Sequence, residues 1–142
     1  MSMRILVVDD SAVMRKLVIR SLEMAGIPVD QVRTAVNGQD ALVKMSEGAF
    51  DLALVDINMP IMNGFELVER IRGDVSTANL PIVIVSTEGS ETRLAHLRSF
   101  SVGFVRKPFT PEELVDAVVG AIGGESGQEL AEGTMCGGGP DF

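Results

Sequence analysis

Residues 4–22 read RILVVDDSAVMRKLVIRSL, and the fold follows from how this stretch is parsed. Arg4-Ile-Leu-Val-Val8 is a short, nearly continuous apolar run, the pattern of a strand covered on both faces. It stops at Asp9-Asp10. Ser11 is a good helix N-cap, and Val13, Met14, Leu17, Val18 and Leu22 follow at helical spacing. Gly26 ends that helix and Pro28 blocks a restart.

The same strand-then-helix unit recurs along the chain. Val32–Val36 reads as a weaker second strand, and Asn37-Gly38 opens a helix through about Glu47 with Ala41, Leu42 and Met45 inward. Asp51–Val55 is a third strand ending at Asp56. After the loop Asn58-Met-Pro-Ile-Met-Asn-Gly64, a helix runs from Phe65 to Arg72. Leu80–Val85 is a fourth strand ending at Ser86-Thr87, followed by a more polar helix over Glu91–Phe100. Val102–Val105 is a short fifth strand ending at Lys107-Pro108. Thr110, Pro111 and Glu113 supply a cap, a first-turn proline and a capping-box glutamate. Leu114, Val115, Val118 and Val119 form the apolar stripe of that last helix. Five such alternations predict an α/β fold: a five-stranded parallel sheet with helices on both faces, for which a flavodoxin-like order 2-1-3-4-5 is the expectation adopted for the site.

Composition bounds the rest. A chain of 142 residues holds one domain, and 46% hydrophobic against 23% charged residues is ordinary globular usage. Twelve Lys and Arg against twenty Asp and Glu give −8, which argues against a nucleic-acid-binding surface. No apolar run approaches the ~20 residues that cross a bilayer, so no membrane role is expected. Two aspartates within the first ten residues do not read as a signal peptide. The lone Cys136 has no internal disulfide partner, and a cytoplasmic location is the expectation. Gly120–Phe142 holds eight of the fifteen glycines, four acids (Glu125, Glu129, Glu132, Asp141) and no Lys or Arg. The chain therefore divides into a folded unit over residues 1–122 and a flexible, Gly-rich acidic tail over 123–142.

Ligands in open α/β sheets bind beyond the carboxyl ends of the strands, at the switch point. Here strand one ends in Asp9 and Asp10, strand three in Asp56, strand four in Ser86 and strand five in Lys107. Order 2-1-3-4-5 places the three carboxylates in one pocket, flanked by Ser86 and Lys107. Such carboxylates repel one another unless a cation is present. An all-oxygen acidic site suits Mg²⁺, which keeps several waters. A hard cation, a lysine and a hydroxyl around one carboxylate suit a phosphoryl group carried on that carboxylate.

These residues make the chain resemble the receiver domain of two-component response regulators, and closely the single-domain, CheY-like kind. The resemblance is carried by ILVVDDS at 5–11, LALVDINMPIMNGFELVERIR at 52–72, PIVIVST at 81–87 and FVRKPF at 104–109. It implies that Asp56 takes the phosphoryl group from a sensor histidine kinase, a phosphotransfer protein or a small phosphodonor. It implies that Asp9 and Asp10 hold Mg²⁺ with Asp56 and the backbone carbonyl of Asn58, Asp10 being the stronger candidate for direct ligation. Ser86 is then the switch hydroxyl, Lys107 bonds the phosphoryl group from the other side, and the Lys107–Pro108 peptide is cis. Phe104 occupies the switch-aromatic position, where the family often has tyrosine. Asn58 and Glu88 border the attacking water and tune dephosphorylation. Thr87 stands where the family commonly has alanine, which narrows access to Asp56. The output is a phosphorelay or chemotaxis-type signal, passed to a target protein through the fourth helix, fifth strand and last helix.

Other readings compete. One is the receiver fragment of a longer regulator with an output domain. Another is a Mg²⁺-dependent phosphatase of the aspartyl-phosphate type, but such enzymes carry a D-x-D pattern at the first strand, and here Asp9-Asp10 is followed by Ser11. A degenerate receiver is disfavoured because all five positions are suitably filled. The glycine fingerprint of a dinucleotide enzyme is absent. His96 is the only histidine and is expected on an exposed helix face.

Overall fold

A computed structural model describes residues 3–87 and 90–123. Its elements alternate strictly: β1 (Ile5–Val8), α1 (Ala12–Met24), β2 (Val32–Ala35), α2 (Gly38–Glu47), β3 (Leu52–Val55), α3 (Gly64–Gly73), β4 (Ile82–Ser86), α4 (Glu91–Arg98), β5 (Gly103–Arg106) and α5 (Pro111–Gly123). All five strands pair in parallel, in the order β2-β1-β3-β4-β5.

The three central strands are apolar because both their faces are covered. Every residue of β1, β3 and β4 is buried. Leu6, Val8, Ala53, Val55, Ile82 and Ile84 pack on one side with Ala41, Leu67, Val68, Ile71 and Leu97. Ile5, Val7, Leu52, Leu54, Val83 and Val85 pack on the other with Val18, Leu22, Leu114 and Val118. Alternate residues of each strand thus serve opposite faces.

Helix starts follow their caps. Ser11, Asn37, Asn63 and Ser90 each accept a hydrogen bond from a first-turn amide, satisfying an otherwise orphaned donor. Asn63 and Glu66 form a reciprocal capping box, and so do Thr110 and Glu113, the latter as the sequence predicts.

The helix stripes differ from expectation in detail. Val18 and Leu22 of α1 are buried, but Val13 is 77% exposed and Leu17 46%. Val13 lies in the first turn beside Met14, which faces the core while Val13 turns to solvent. The stripe is instead Met14, Val18, Ser21 and Leu22, with Ser21 buried. On α5 the packed positions are Leu114, Ala117, Val118 and Ala121, and Val119 is exposed. Helix α5 also runs through Gly123, one residue into the expected tail. The rest of that tail, with Cys136, lies outside the described residues, as does Glu88. Helix α4 ends at Arg98, two residues earlier than predicted. Ser99 and Phe100 close it with turn hydrogen bonds to the carbonyls of His96 and Leu97.

Arg72, read from sequence only as the end of α3, donates to the carbonyls of Phe100 (2.8 Å), Leu80 (2.6 Å), Ala78 (3.2 Å) and Ser101 (3.2 Å). It ties α3 to the segments that precede β4 and β5. His96 is exposed, with Nε2 3.5 Å from Glu69 Oε2 on α3, and Arg93 stacks 4.4 Å over the Phe65 ring. No helix among the described residues is long and apolar enough to cross a membrane.

Gly64 fixes how closely α3 approaches β3. Its amide donates to Ile57 O at 2.8 Å, and a Cβ there would collide with the Asp56 carbonyl and lie 2.8 Å from Ile57 Cα. Both obstacles are backbone, so neither can swing aside. We expect Gly64→Ala to cost roughly 1–3 kcal/mol by urea denaturation. Gly73→Ala on the same helix, with nothing within 4 Å of its Cβ position, should change stability little.

Candidate functional site

The acids meet because of strand register. Val8 pairs with Val55 across β1 and β3, so the next residues, Asp9 and Asp56, leave the sheet side by side. Asp9 continues the ladder by donating its amide to Ala35 O, and Asp56 donates its amide to Val8 O. On the other flank Ser86 pairs with Arg106 at the ends of β4 and β5, and the Lys107 amide donates to Ser86 O at 3.0 Å. The five residues that close four separate strands are thus gathered at one sheet edge.

Carboxylate oxygens of Asp9, Asp10 and Asp56 all lie within 4.8 Å of one another. Asp9 and Asp56 are buried and Asp10 is exposed. Lys107 reaches in from β5, its Nζ 3.1 Å from Asp9 Oδ2 and 3.5 Å from Asp56 Oδ1. Asp9 Oδ1 accepts from the Ser11 amide at 2.9 Å. Asp56 Oδ1 also accepts from the Ile57 amide at 2.9 Å, whereas Asp56 Oδ2 has no hydrogen-bond or ion-pair partner among the described residues. One acidic oxygen is therefore paired and the other is open to a ligand.

Burial pushes the Asp56 carboxyl above its ordinary 3.8, and the neighbouring Asp9 charge pushes it further; Lys107 and the Ile57 amide act against both. Three negative charges face one ammonium, and the donor set is entirely oxygen. That is the chemistry a small hard divalent cation fits. Asn58 follows in the β3–α3 loop with its side chain exposed.

Ser86 is fully buried at the end of β4 and Thr87 beside it is exposed. Phe104 lies on β5 opposite Ile84, partly buried against the core side that carries α3 and α4. The Lys107–Pro108 peptide is cis. Ile61, in the loop after Asp56, holds φ 71° with its side chain 75% exposed. Sequence reasoning missed Gly64 and Arg15. Arg15 donates from Nη1 to the Asp9 carbonyl at 2.8 Å. Its only sequence signal is its place one turn into the helix that follows the acid pair.

A doubly wound parallel sheet with an acid cluster and a lysine at its switch point defines a class of phosphate- and metal-handling α/β domains. Within that class, the response regulator receiver domain family matches residues 5–119. Over 92% of this chain and 100% of its own length, the chemotaxis protein CheY homolog of Campylobacter jejuni is 35% identical. The chemotaxis protein CheY1 of Helicobacter pylori is 34% identical over 85% of this chain and 98% of its own. The crystal structure of Vibrio cholerae chemotaxis protein CheY4 superposes with a TM-score of 0.76 at 34% identity, covering 85% of this chain and 99% of that one. The chain belongs to the response regulator receiver family, and its function is that of a phosphorylation-switched signalling domain.

The raised carboxyl makes a stability prediction. A carboxyl whose pKa is raised by folding binds more protons folded than unfolded, so its contribution to stability is present below 3.8 and is lost as pH rises through the folded value. At neutral pH the ionised Asp56 is a cost. Without divalent cations, Asp56→Asn should therefore unfold at higher urea than wild type at pH 7, with the gap closing towards pH 3. Urea titrations across that range, in chelator, check it.

Proposed function

We propose that Asp56 is the phosphoacceptor of this receiver, with Asp9 and Asp10 as its metal-holding partners and Ser86 and Lys107 as its phosphoryl-binding groups. The observation that carries this reading is the lysine ammonium set between two buried carboxylates, one of which keeps an unpaired oxygen. A sensor histidine kinase or a phosphotransfer protein presents a phosphohistidine. Asp56 Oδ2 attacks phosphorus, the new P–O bond forms as the P–N bond breaks, and the departing imidazole takes a proton from solvent. Asp9, Asp10, Asp56 and the Asn58 carbonyl would hold Mg²⁺, which when bound would supply positive charge against carboxylate repulsion and for phosphoryl oxygens. Lys107 exchanges its carboxylate contacts for a phosphoryl oxygen, a stronger anion.

Ser86 donates its hydroxyl to another phosphoryl oxygen, and the pull on the end of β4 is passed on towards α4. Phe104 fills the space that movement vacates. It has no hydroxyl to offer a partner, so contact there is apolar. The α4–β5–α5 face then meets the downstream protein. Asn58 and Glu88 border the water that hydrolyses the acyl phosphate and set its lifetime, and Thr87 narrows that access. The domain catalyses only its own phosphorylation and dephosphorylation. It acts in the cytoplasm, a reading supported by its single cysteine. Residues 1–122 are the working unit and 123–142 a separate acidic tail.

Labelling with acetyl phosphate and Mg²⁺ tests the assignment. Wild type should take up one phosphoryl group per chain, and Asp56→Asn none. Lys107→Ala should keep some labelling yet lose target binding, because it removes the group that couples phosphoryl to β5. Uptake by Asp56→Asn equal to wild type overturns the site, and many turnovers on a phosphomonoester would favour a phosphatase.

A further inference from the structure

Asp9 is fastened at every polar atom. Its amide donates to Ala35 O, its Oδ1 accepts from the Ser11 amide, its Oδ2 from Lys107, and its carbonyl from Arg15. Asp10, the next residue, is the opposite: its carboxylate has no hydrogen bond or ion pair among the described residues. Among the described residues, that carboxylate is therefore placed only by the backbone of residues 9–11 and its own rotamer. Two contacts fix this backbone from the helix side. Ser11 Oγ accepts from the Met14 amide, and Arg15 reaches back over the loop to the Asp9 carbonyl. Helical side chains lean towards the N-terminus of their helix, so Arg15, in the first turn and a half, is aimed there by the helix itself. The carbonyl it caps is that of a 3% exposed residue, where an unmet acceptor is costly.

We infer that Arg15 is a positioning residue for the divalent cation: by clamping the Asp9 carbonyl it holds the 9–11 loop in the shape that presents the Asp10 carboxylate to Asp9 and Asp56. This rests on the reading of the acid cluster as the Mg²⁺ site. Charge alone predicts the opposite sign. A guanidinium beside the cluster repels a cation, so deleting it would tighten binding if it acted only electrostatically. Deleting a clamp that orients a ligand weakens binding, by about tenfold for outer partners of metal sites.

The experiment is isothermal titration of the whole chain with MgCl₂ at fixed ionic strength, for wild type, Arg15→Gln, Arg15→Lys, Asp10→Asn and the double variant Arg15→Gln/Asp10→Asn. Arg15→Gln should bind Mg²⁺ about tenfold more weakly. Arg15→Lys, which keeps one donor, should recover most of that loss, and it carries the test should the Gln variant fold poorly in chelator. The double variant should bind no more weakly than Asp10→Asn alone, because Arg15 acts through that carboxylate. Unchanged or tighter binding by Arg15→Gln, or full additivity in the double variant, overturns the positioning role and leaves the metal site standing. No Mg²⁺ binding by wild type overturns both.

Discussion

The repulsion among three carboxylates at one sheet edge, met among the described residues by the Lys107 ammonium, is the constraint around which the rest of the fold is arranged. Two unit charges ~4 Å apart in surroundings of effective dielectric about 20 interact by roughly 4 kcal/mol. Asp9 and Asp56 sit in such surroundings and both lean on Lys107. The raised pKa of Asp56 records the balance: burial and Asp9 outweigh the lysine and the Ile57 amide. A site left short of positive charge gains from a divalent cation. Once the cation is there, a further anion can enter without restoring the original repulsion.

Holding such a cluster together takes a rigid base. The acids follow strands in which every residue is buried, so a one-residue slip would offset Asp9 from Asp56 and exchange the side chains fitted to the two covered faces. Gly64 lets α3 close directly on the Asp56 backbone, and Arg72 binds the far end of the same helix to the segments leading into β4 and β5.

Much of this was legible in the sequence. Nearly continuous apolar runs marked β1, β3 and β4, caps marked the helices, and polar residues at strand ends marked the site. Those signals are local, and they are strong when a strand is covered on both faces. What local pattern could not resolve was which members of a wide apolar stripe are covered. Val13, Leu17 and Val119 are apolar but lie to the exposed side of the packed stripe, while Ser21 is buried because it lies on the packed side of α1. Backbone-directed contacts were also invisible. Nothing in the letter at position 15 or 72 says that a guanidinium will cap a carbonyl, since that depends on how a loop turns. The cis bond before Pro108 was expected by resemblance, and the structure has it.

The same geometry explains why a change at Asp56 can be felt on β5. Lys107 and Ser86 are joined by a backbone hydrogen bond, and the two strands they close run in register down to Ile84 and Phe104. On the proposed reading, a phosphoryl group recruits both residues at once and so pulls on both strand ends together. Helix α4, next along the chain from Ser86, buries only Leu94 and Leu97. Among its links to α3 are the Arg93–Phe65 stack and the His96–Glu69 pair. Exposed contacts of those kinds are each worth about 1 kcal/mol or less. Inverting a two-state population from 1:99 to 99:1 takes about 5.5 kcal/mol of differential binding. A few charge-assisted hydrogen bonds to a phosphoryl group, at roughly 1.5–3 kcal/mol each, can supply that against a helix held so lightly. Helix α5 also buries two side chains, Leu114 and Val118, but adds the half-buried Ala117 and Ala121 against the same core. On the proposed reading, α4 is then the element that moves and α5 the wall against which that movement is read.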